Sequence, residues 1–226
     1  MKQGLATTRS QAESAIRLGS IKVNNTVIQK PGYFVAPTAT ITSVATERYV
    51  SRAGLKLASV AKVLGLDFSN KTVLDVGSST GGFTDYALQH GAKKVYAVDV
   101  GTNQLHPSLR GQDKISLHEQ TDIRNFVPPE HVDVVVVDVS FISLRAVLPH
   151  IFTIITPKTQ VIAMCKPQFE AGDLAKHNGI IKNDAMRRKI LRDFENWAKQ
   201  SFVILHKADS YFKGAKGNQE RFYLLH

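Results

Sequence analysis

Cysteine is almost absent from the 226-residue chain, which contains only Cys165. A single cysteine excludes an internal disulfide framework and any metal site built from several thiolates. No apolar run approaches the roughly 18 residues of a membrane-spanning helix. The segment from Met1 to Leu5 lacks the apolar core of a signal peptide, and the histidines do not follow metal-ligand spacing. We therefore expect a cytoplasmic protein with no bound metal and no membrane partner.

Acidic residues are scarce in the first quarter of the chain. Residues 1–56 hold eight lysines and arginines but only two glutamates, and so carry +6 of the net charge of +10. Positive charge concentrated in one segment is typical of proteins that bind nucleic acids. A membrane-surface patch is the alternative, but the segment lacks a long basic amphipathic helix with aromatic anchors.

Residues 1–46 form a predicted small module ahead of a larger domain. Ser10 followed by Glu13 is a capping-box pattern, which predicts a short helix ending near Leu18. Alternating apolar and polar residues around an Asn-Thr turn predict a hairpin over 21–29. This order of elements resembles the S4 RNA-binding module. Such a module normally begins with another helix, so the unit is expected to be truncated at its N-terminus. The alternative interpretation is a simple N-terminal extension of the main domain.

Polar and basic residues around this helix and hairpin are the candidate RNA contacts. An S4-like module would bind structured RNA mainly through phosphate groups and shape. The candidates within the module are Arg9, Ser10, Arg17 and Lys22. Two more, Arg48 and Arg52, lie at the junction with the following domain.

Strands and helices are predicted to alternate over residues 47–226. Short apolar runs predict strands over 73–76, 94–98, 115–118, 132–137, 160–164, 202–206 and 221–225. Helical spacing is present over 84–89 and 185–199. The run over 132–137 is nearly all valine, as in a strand that is buried on both faces. This alternation predicts an α/β fold with a Rossmann-like, doubly wound and mostly parallel sheet.

A glycine-rich loop, DVGSSTGGF, runs from Asp75 to Phe83 at the end of the first of these strands. Ligands of open α/β sheets bind beyond the carboxyl ends of strands, and glycine allows a backbone to approach a ligand closely. Ser79 stands where a dinucleotide fingerprint requires glycine, which disfavours an NAD-dependent dehydrogenase, and no Walker A lysine follows. The candidate cofactor contacts in the loop are Asp75, Gly77, Ser79, Gly81, Gly82 and Phe83.

Three further aspartates follow predicted strands, and we expect them on the same rim as Asp75. Asp99 would accept hydrogen bonds from ribose hydroxyls. Asp122 lies where an adenine amine is expected, and Asp138 ends the valine strand. Asp75 would hold loop amides or lie near the cation of a sulfonium ligand. For any single aspartate, a role as a helix cap or turn residue is the alternative.

Five segments of the chain resemble the TlyA-type rRNA methyltransferases, historically called hemolysins, which are relatives of the FtsJ 2′-O-methyltransferases. The segments are YVSRAGLKL from Tyr49, DVSFIS from Asp138, KPQFEAG from Lys166, KGNQE from Lys216, and the glycine-rich loop extended to Asp85. They occur in order over nearly the whole chain, and the family also carries an N-terminal S4 module. The resemblance implies S-adenosylmethionine as cofactor, with contacts at Gly81, Phe83, Asp99, Asp122 and Asp138. It also implies 2′-O-methylation of cytidines in ribosomal RNA or ribosomal subunits.

In FtsJ-type enzymes a Lys-Asp-Lys-Glu tetrad surrounds the target ribose, and the matching residues are Lys56, Asp138, Lys166 and Glu220. A ribose 2′-hydroxyl is a poor nucleophile at neutral pH, so its attack needs alignment and help with the proton. We assign Lys166 as the base or hydroxyl-positioning group and Asp138 as the residue that orients it. Lys56 would steer the ribose, and Glu220 would hold the lysines. Phe141 would either stack on a base or belong to the core.

Two alternatives to an active methyltransferase come from other functional classes. A membrane-active cytolysin, which the older family name suggests, would need a secretion signal or membrane-inserting segments. An RNA-binding protein with a degenerate methyltransferase fold would need neither cofactor nor tetrad, but all four tetrad residue types are present.

Overall fold

The computed structural model describes residues 5, 9–43, 49–172, 179–181, 183–214 and 216–226. The N-terminal elements are helix α1, Arg9–Leu18, and strands β1, Ile21–Val23, β2, Thr26–Val27, and β3, Ile41–Ser43. The strands form an antiparallel sheet in the order β2-β1-β3. Within the described residues, no helix is long and apolar enough to cross a membrane.

Local turn chemistry explains the predicted helix and hairpin of this N-terminal part. Gly19, with φ of 78°, ends α1, and the amide of Ser20 donates to Ala15 O at 3.0 Å. Asn24 and Asn25 both have positive φ, as the twist of a two-residue hairpin turn requires. The predicted capping box is wrong in one respect, because the helix already includes Arg9 and Ser10 therefore lies inside it. Strand β3 was not predicted from the sequence.

The larger sheet contains seven strands in the order β6-β5-β4-β7-β8-β10-β9. All pairs are parallel except those of β10, which is antiparallel to both β8 and β9. The strands are β4 Thr72–Val76, β5 Lys94–Val98, β6 Ile115–His118, β7 Val134–Val137, β8 Gln160–Cys165, β9 Ile204–Asp209 and β10 Arg221–Leu225. The predicted Rossmann-like, mostly parallel sheet is confirmed.

Helices cover both faces of this sheet. They are α2 Arg52–Ala61, α3 Gly82–Gln89, α4 Leu144–Thr153, α5 Pro167–Glu170 and α6 Asp184–Ala198. Alternate residues of β4 enter opposite cores, with Val73 on the side of α2 and α3 and Leu74 on the side of α4 and α6. Two-sided burial explains the apolar strands, since every residue of β4 and β7 is buried.

Helix α2 was not predicted, although it supplies one side of the site. The hydroxyl of Ser51 caps its start and accepts from the amide of Ala53 at 3.3 Å. The helix lies very close to α3, because a Cβ at Gly54 would lie 2.9 Å from the carbonyl oxygen of Gly82. Only glycine permits this approach, which brings Lys56 next to the carboxyl ends of the strands.

Candidate active site

Three adjoining cavities open along the carboxyl ends of the parallel strands. The acidic cavity, of about 340 Å³, is lined by the loops after β4, β5 and β7 and includes Asp99 and Asp122. The linking cavity, of about 140 Å³, lies between the glycine-rich loop and Lys166. The lysine cleft, of about 410 Å³, includes Lys56, Lys166 and Glu220. Ser140 lines all three, so they form one continuous site.

Asp75 lies inside β4 and is fully buried against the linking cavity. Its Oδ2 accepts a hydrogen bond from Thr84 Oγ1 at 2.6 Å, while its Oδ1 has no hydrogen-bond partner among the described residues. Burial raises the pKa of Asp75 to about 7, and the nearby carboxylates of Asp138 and Asp99 add to this rise against the opposing Thr84 hydrogen bond. Asp75 therefore has no hydrogen-bonded cationic partner among the described residues, and a cationic ligand in the linking cavity would favour its charged form.

Asp99 holds the backbone at the entrance of the acidic cavity. Its Oδ2 accepts from the amide of Ser79 at 2.8 Å, and its Oδ1 accepts from the amide of Gly101 at 2.7 Å. Each carboxylate oxygen has a second lone pair, so Asp99 can still accept hydrogen bonds from ligand hydroxyls.

Asp122 is paired with a cation of its own chain. The Arg124 guanidinium donates to Asp122 Oδ2 at 2.6 Å, and the Arg124 amide donates to Asp122 Oδ1 at 2.9 Å. The side-chain hydrogen bond from Arg124 is the largest cause that lowers the pKa of Asp122 to about 2. Asp122 is therefore a fixed anion on the wall of the acidic cavity.

The glycines of the loop differ in what surrounds them. Gly77, with φ of 78°, lines the acidic and linking cavities, and a Cβ there would lie 2.7 Å from Asp138 O. At Gly81 a Cβ would lie 2.5 Å from a Leu109 methyl, and at Gly82 it would lie 2.8 Å from the Ala53 methyl. Packing alone therefore accounts for Gly81 and Gly82, and their role as cofactor contacts stays a prediction.

Phe83 is also mainly a core residue. Its ring is buried, with its centroid 6.0 Å from that of Phe222, although it reaches the wall of the linking cavity. Ser79 lines the acidic and linking cavities with φ of 46°. Its amide is held by Asp99, so the conformation of this loop depends on the strand end beside it.

The four residues of the predicted tetrad converge as two ion pairs. Lys56 Nζ lies 2.5 Å from Glu220 Oε2, and Lys166 Nζ lies 2.6 Å from Asp138 Oδ1. Lys56 comes from α2, Asp138 follows β7, Lys166 follows β8, and Glu220 precedes β10. Burial raises the pKa of Glu220, an effect that Lys56 opposes. The structure thus places two ammonium groups and two carboxylates around one cleft, although they are far apart in sequence.

Several residues of the cleft were not assigned from the sequence. Lys166 Nζ also donates to Ser140 Oγ at 2.6 Å, and Lys216 and Asn218 line the lysine cleft. Asn218 is buried and ties two segments together, since it donates to Gly179 O and accepts from the amide of Ile181, both at 2.9 Å. Ser140, Lys216 and Asn218 all lie within the motif segments, but nothing in the sequence distinguished them from the neighbouring residues as functional candidates.

Phe141 does not belong to the core. It is 84% exposed, lines both the acidic cavity and the lysine cleft, and lies 5.3 Å from the ring of Phe169. The core alternative for this residue is therefore wrong. Its φ of 65° is a left-handed conformation that a bulky side chain rarely adopts.

The candidate RNA contacts are only partly described. Arg9 is exposed on α1, and Lys22 is half-buried in β1. Arg52 begins α2, and its guanidinium donates to Lys213 O at 2.5 Å. Arg48 and the side chains of Ser10 and Arg17 lie outside the described residues. No group of three or more His, Cys, Asp or Glu residues in the described part of the chain is arranged to hold a metal ion.

Comparison with known proteins supports the sequence resemblance. Residues 1–41 match the S4 domain. The chain is 43% identical to the 23S rRNA (cytidine-2′-O)-methyltransferase TlyA of Campylobacter jejuni, over 79% of this chain and 71% of that protein. It is 33% identical to the 16S/23S rRNA (cytidine-2′-O)-methyltransferase TlyA of Mycobacterium tuberculosis, over 100% of this chain and 87% of that protein.

A solved structure agrees with these relatives over the whole chain. It is that of a Streptococcus thermophilus protein that carries the name hemolysin, with a TM-score of 0.78 and 38% identity. The similarity covers 99% of this chain and 84% of that chain. Residues 49–226, which contain all three cavities and both ion pairs, match the FtsJ-like methyltransferase family. The predicted family is confirmed: the chain belongs to the FtsJ-like methyltransferases.

Proposed function

We propose that this enzyme transfers a methyl group from S-adenosylmethionine to the 2′-oxygen of a ribose in ribosomal RNA, at a cytidine. The observation that carries the proposal is the convergence of the Lys56–Glu220 and Lys166–Asp138 pairs beside an acidic cavity. The two TlyA relatives, named as rRNA (cytidine-2′-O)-methyltransferases, support the choice of ribosomal RNA and of cytidine.

We assign the acidic and linking cavities to S-adenosylmethionine. In this proposal Asp99 accepts from the ribose hydroxyls of the cofactor and Asp122 accepts from its adenine amine. The unpartnered Oδ1 of Asp75 lies on the linking cavity, where a cationic group would offset its desolvation. Gly77 lines both cavities, and its missing Cβ lets the glycine-rich loop lie against the backbone of Asp138. S-adenosylmethionine, when bound, supplies a methyl group made electrophilic by its sulfonium.

The lysine cleft supplies the groups that act on the target ribose. Lys166 lines both the linking cavity and the lysine cleft, so its amine can reach a 2′-hydroxyl placed between them. In this proposal Lys166 accepts the proton of that hydroxyl while Asp138 orients the amine. Lys56, held by Glu220, positions the ribose by donating to its oxygen atoms. The reaction needs no metal, because the methyl donor is already activated.

RNA binding is proposed to involve both parts of the chain, the S4-like module over residues 1–46 and the methyltransferase domain over 47–226. Arg9, Arg17 and Lys22, with Ser10, would contact the phosphates of structured RNA, and Arg48 and Arg52 would align it with the cleft. A ribosomal RNA substrate would place this activity in the cytoplasm.

Radiolabelled methyl transfer to purified ribosomal subunits tests the proposed function. We expect incorporation into RNA that depends on added enzyme and disappears after ribonuclease treatment. The Lys166→Ala variant is the control for label carried over without catalysis. Absence of label in every ribosomal RNA fraction would favour an RNA-binding protein without methyltransferase activity.

A further inference from the structure

Among the described residues, Ser140 is the one that lines all three cavities of the site, yet the tetrad assigns it no role. It lies two residues after Asp138 in the loop that follows β7. Its hydroxyl oxygen accepts a hydrogen bond from Lys166 Nζ at 2.6 Å. Asp138 Oδ1 also lies 2.6 Å from Lys166 Nζ as an ion-pair partner, but it has no hydrogen-bond partner among the described residues, so the hydrogen bond of the amine in this loop is the one to Ser140.

We propose that Ser140 is a positioning residue that, together with Asp138, aims the free direction of the Lys166 amine at the target ribose. The hydrogen bond to Ser140 Oγ fixes one direction of the amine, and the Asp138 carboxylate lies beside it as an ion-pair partner. The amine keeps a direction free, and Lys166 borders open space in both the linking cavity and the lysine cleft.

To act as a base, the Lys166 ammonium first releases one proton to water and becomes a neutral amine with two N–H groups and one lone pair. One N–H group donates to Ser140 Oγ, and the lone pair is then free to face the substrate hydroxyl. The ribose 2′-oxygen then bonds to the methyl carbon as the carbon–sulfur bond breaks, and the electron pair of that bond stays on sulfur. The hydroxyl proton passes to Lys166 Nζ, which becomes an ammonium and later releases the proton to water.

A hydroxyl is a better second acceptor here than a carboxylate. Ser140 carries no charge, so it directs the amine without adding to the negative charge of Asp138. Ser140 therefore orients the Lys166 amine, whereas Asp138 both orients the amine and supplies a negative charge.

The local backbone supports a functional reason for this contact. Phe141, the next residue, has φ of 65°, which is costly for a bulky side chain. The tight turn leaves the Phe141 ring 84% exposed while the Ser140 hydroxyl contacts Lys166. Backbone strain of this kind persists where the surrounding structure requires it, and it concentrates at functional sites.

The inference rests on the proposed function and is tested with Ser140→Ala, Ser140→Thr and the exposed-serine control Ser69→Ala. For Ser140→Ala we expect kcat to fall by about tenfold to a hundredfold, the scale of a small misplacement of a catalytic group. KM for ribosomal RNA and the Kd of S-adenosylmethionine stay nearly unchanged. Ser140→Thr keeps the hydroxyl and recovers most of kcat, and Ser69→Ala behaves like the wild type.

A second readout needs neither substrate nor turnover. In 15N NMR of the folded protein, hydrogen exchange of the Lys166 amine with water accelerates in Ser140→Ala but not in Ser69→Ala. Wild-type kcat in Ser140→Ala, or equal losses in the Ala and Thr variants, overturns the inference. These outcomes differ from failure of the proposed function, in which the wild type itself methylates no RNA.

Discussion

Lys56 Nζ and Glu220 Oε2 lie 2.5 Å apart, with side chains that are only 11% and 3% exposed. The pair joins α2 to the start of β10 and so closes one side of the lysine cleft. Two charges this deeply buried are costly to desolvate, and their attraction offsets that cost only while both are present. The pair therefore links stability to the proposed positioning of the ribose.

Breaking this pair on one side should destabilise the protein. Glu220→Ala leaves the Lys56 ammonium buried without its partner, and we expect a loss of about 3–5 kcal/mol in the free energy of unfolding. The double variant Lys56→Met/Glu220→Gln removes both charges and should recover most of that loss without recovering methyl transfer. Urea unfolding and a methyl-transfer assay measure the two effects. If the double variant is as unstable as Glu220→Ala, charge pairing is not what the two residues contribute.

Lys166→Ala should abolish methyl transfer while the affinity for S-adenosylmethionine stays nearly intact. The reason is that Lys166 lines the linking cavity and the lysine cleft, whereas Asp99 and Asp122, the proposed contacts to the ribose and adenine of the cofactor, line only the acidic cavity of the three. Lys166→Arg should not restore activity, because a guanidinium stays protonated and has a different shape. Isothermal titration with the cofactor and a labelled-methyl assay separate the two properties. Full activity in Lys166→Ala would remove this residue from the mechanism.

Asp75 should give the ligand-free protein a distinctive pH dependence of stability. Its pKa is raised from 3.8 to about 7, mainly by burial, so the folded state keeps a proton that the unfolded chain loses. The stabilising contribution of this proton is complete below about pH 4 and is lost as the pH rises to about 7.

Asp75→Asn cannot ionise and keeps an oxygen acceptor for Thr84. We expect its unfolding free energy to rise relative to the wild type through that pH window, by at most about 1.4 kcal/mol per pH unit. Urea unfolding at several pH values measures the difference. If the unfolding free energies of the two proteins change in parallel with pH, the pKa of Asp75 is not raised in the folded state.

Substitutions of Phe141 should measure the free-energy cost of its left-handed backbone conformation. Phe141→Gly and Phe141→Ala both remove the ring, but only glycine adopts φ of 65° without strain. We expect the glycine variant to be more stable than the alanine variant by about 1 kcal/mol. Denaturant unfolding of the two variants checks this, and an alanine variant of equal or greater stability would contradict it.

RNA binding should depend on salt through the N-terminal basic residues. Arg9→Ala and Lys22→Ala should each weaken binding to ribosomal RNA fragments. Each should also reduce the slope of log affinity against log salt by about 0.7 to 0.9. Lys158→Ala is the control, because Lys158 is exposed in the loop before β8, at the amino ends of the parallel strands and away from the cavities at their carboxyl ends. Filter binding at increasing salt measures the slopes. Equal slopes in the wild type and all three variants would show that Arg9 and Lys22 do not contact RNA phosphates.

The sequence predicted the central strands well because β4 and β7 are buried on both faces and are therefore almost continuous apolar runs. It did not predict α2, whose start depends on the Ser51 cap and whose position depends on the close approach of Gly54 to Gly82. Those contacts join segments that are distant in the chain, and the spacing of apolar residues within one segment does not predict them.

The same limit applied to the site. Asp99, Asp122 and Asp138 were correctly expected near one rim, since parallel strands end together. Three other features depend on side-chain geometry, which the sequence does not contain. They are the Arg124–Asp122 pair, the packing around Gly81 and Gly82, and the contact of Ser140 with Lys166. The tetrad itself came from resemblance, because Lys56 and Glu220 are brought together only by the fold.

Nucleoside analysis of the methylated RNA tests whether the methyl group reaches the 2′-oxygen of a cytidine. Ribosomal subunits are treated with the wild-type enzyme and labelled S-adenosylmethionine, digested to nucleosides and analysed by mass spectrometry. We predict label in 2′-O-methylcytidine, with none after treatment with Lys166→Ala. Label on a base carbon or nitrogen, or equal label with the variant, would contradict the proposed function.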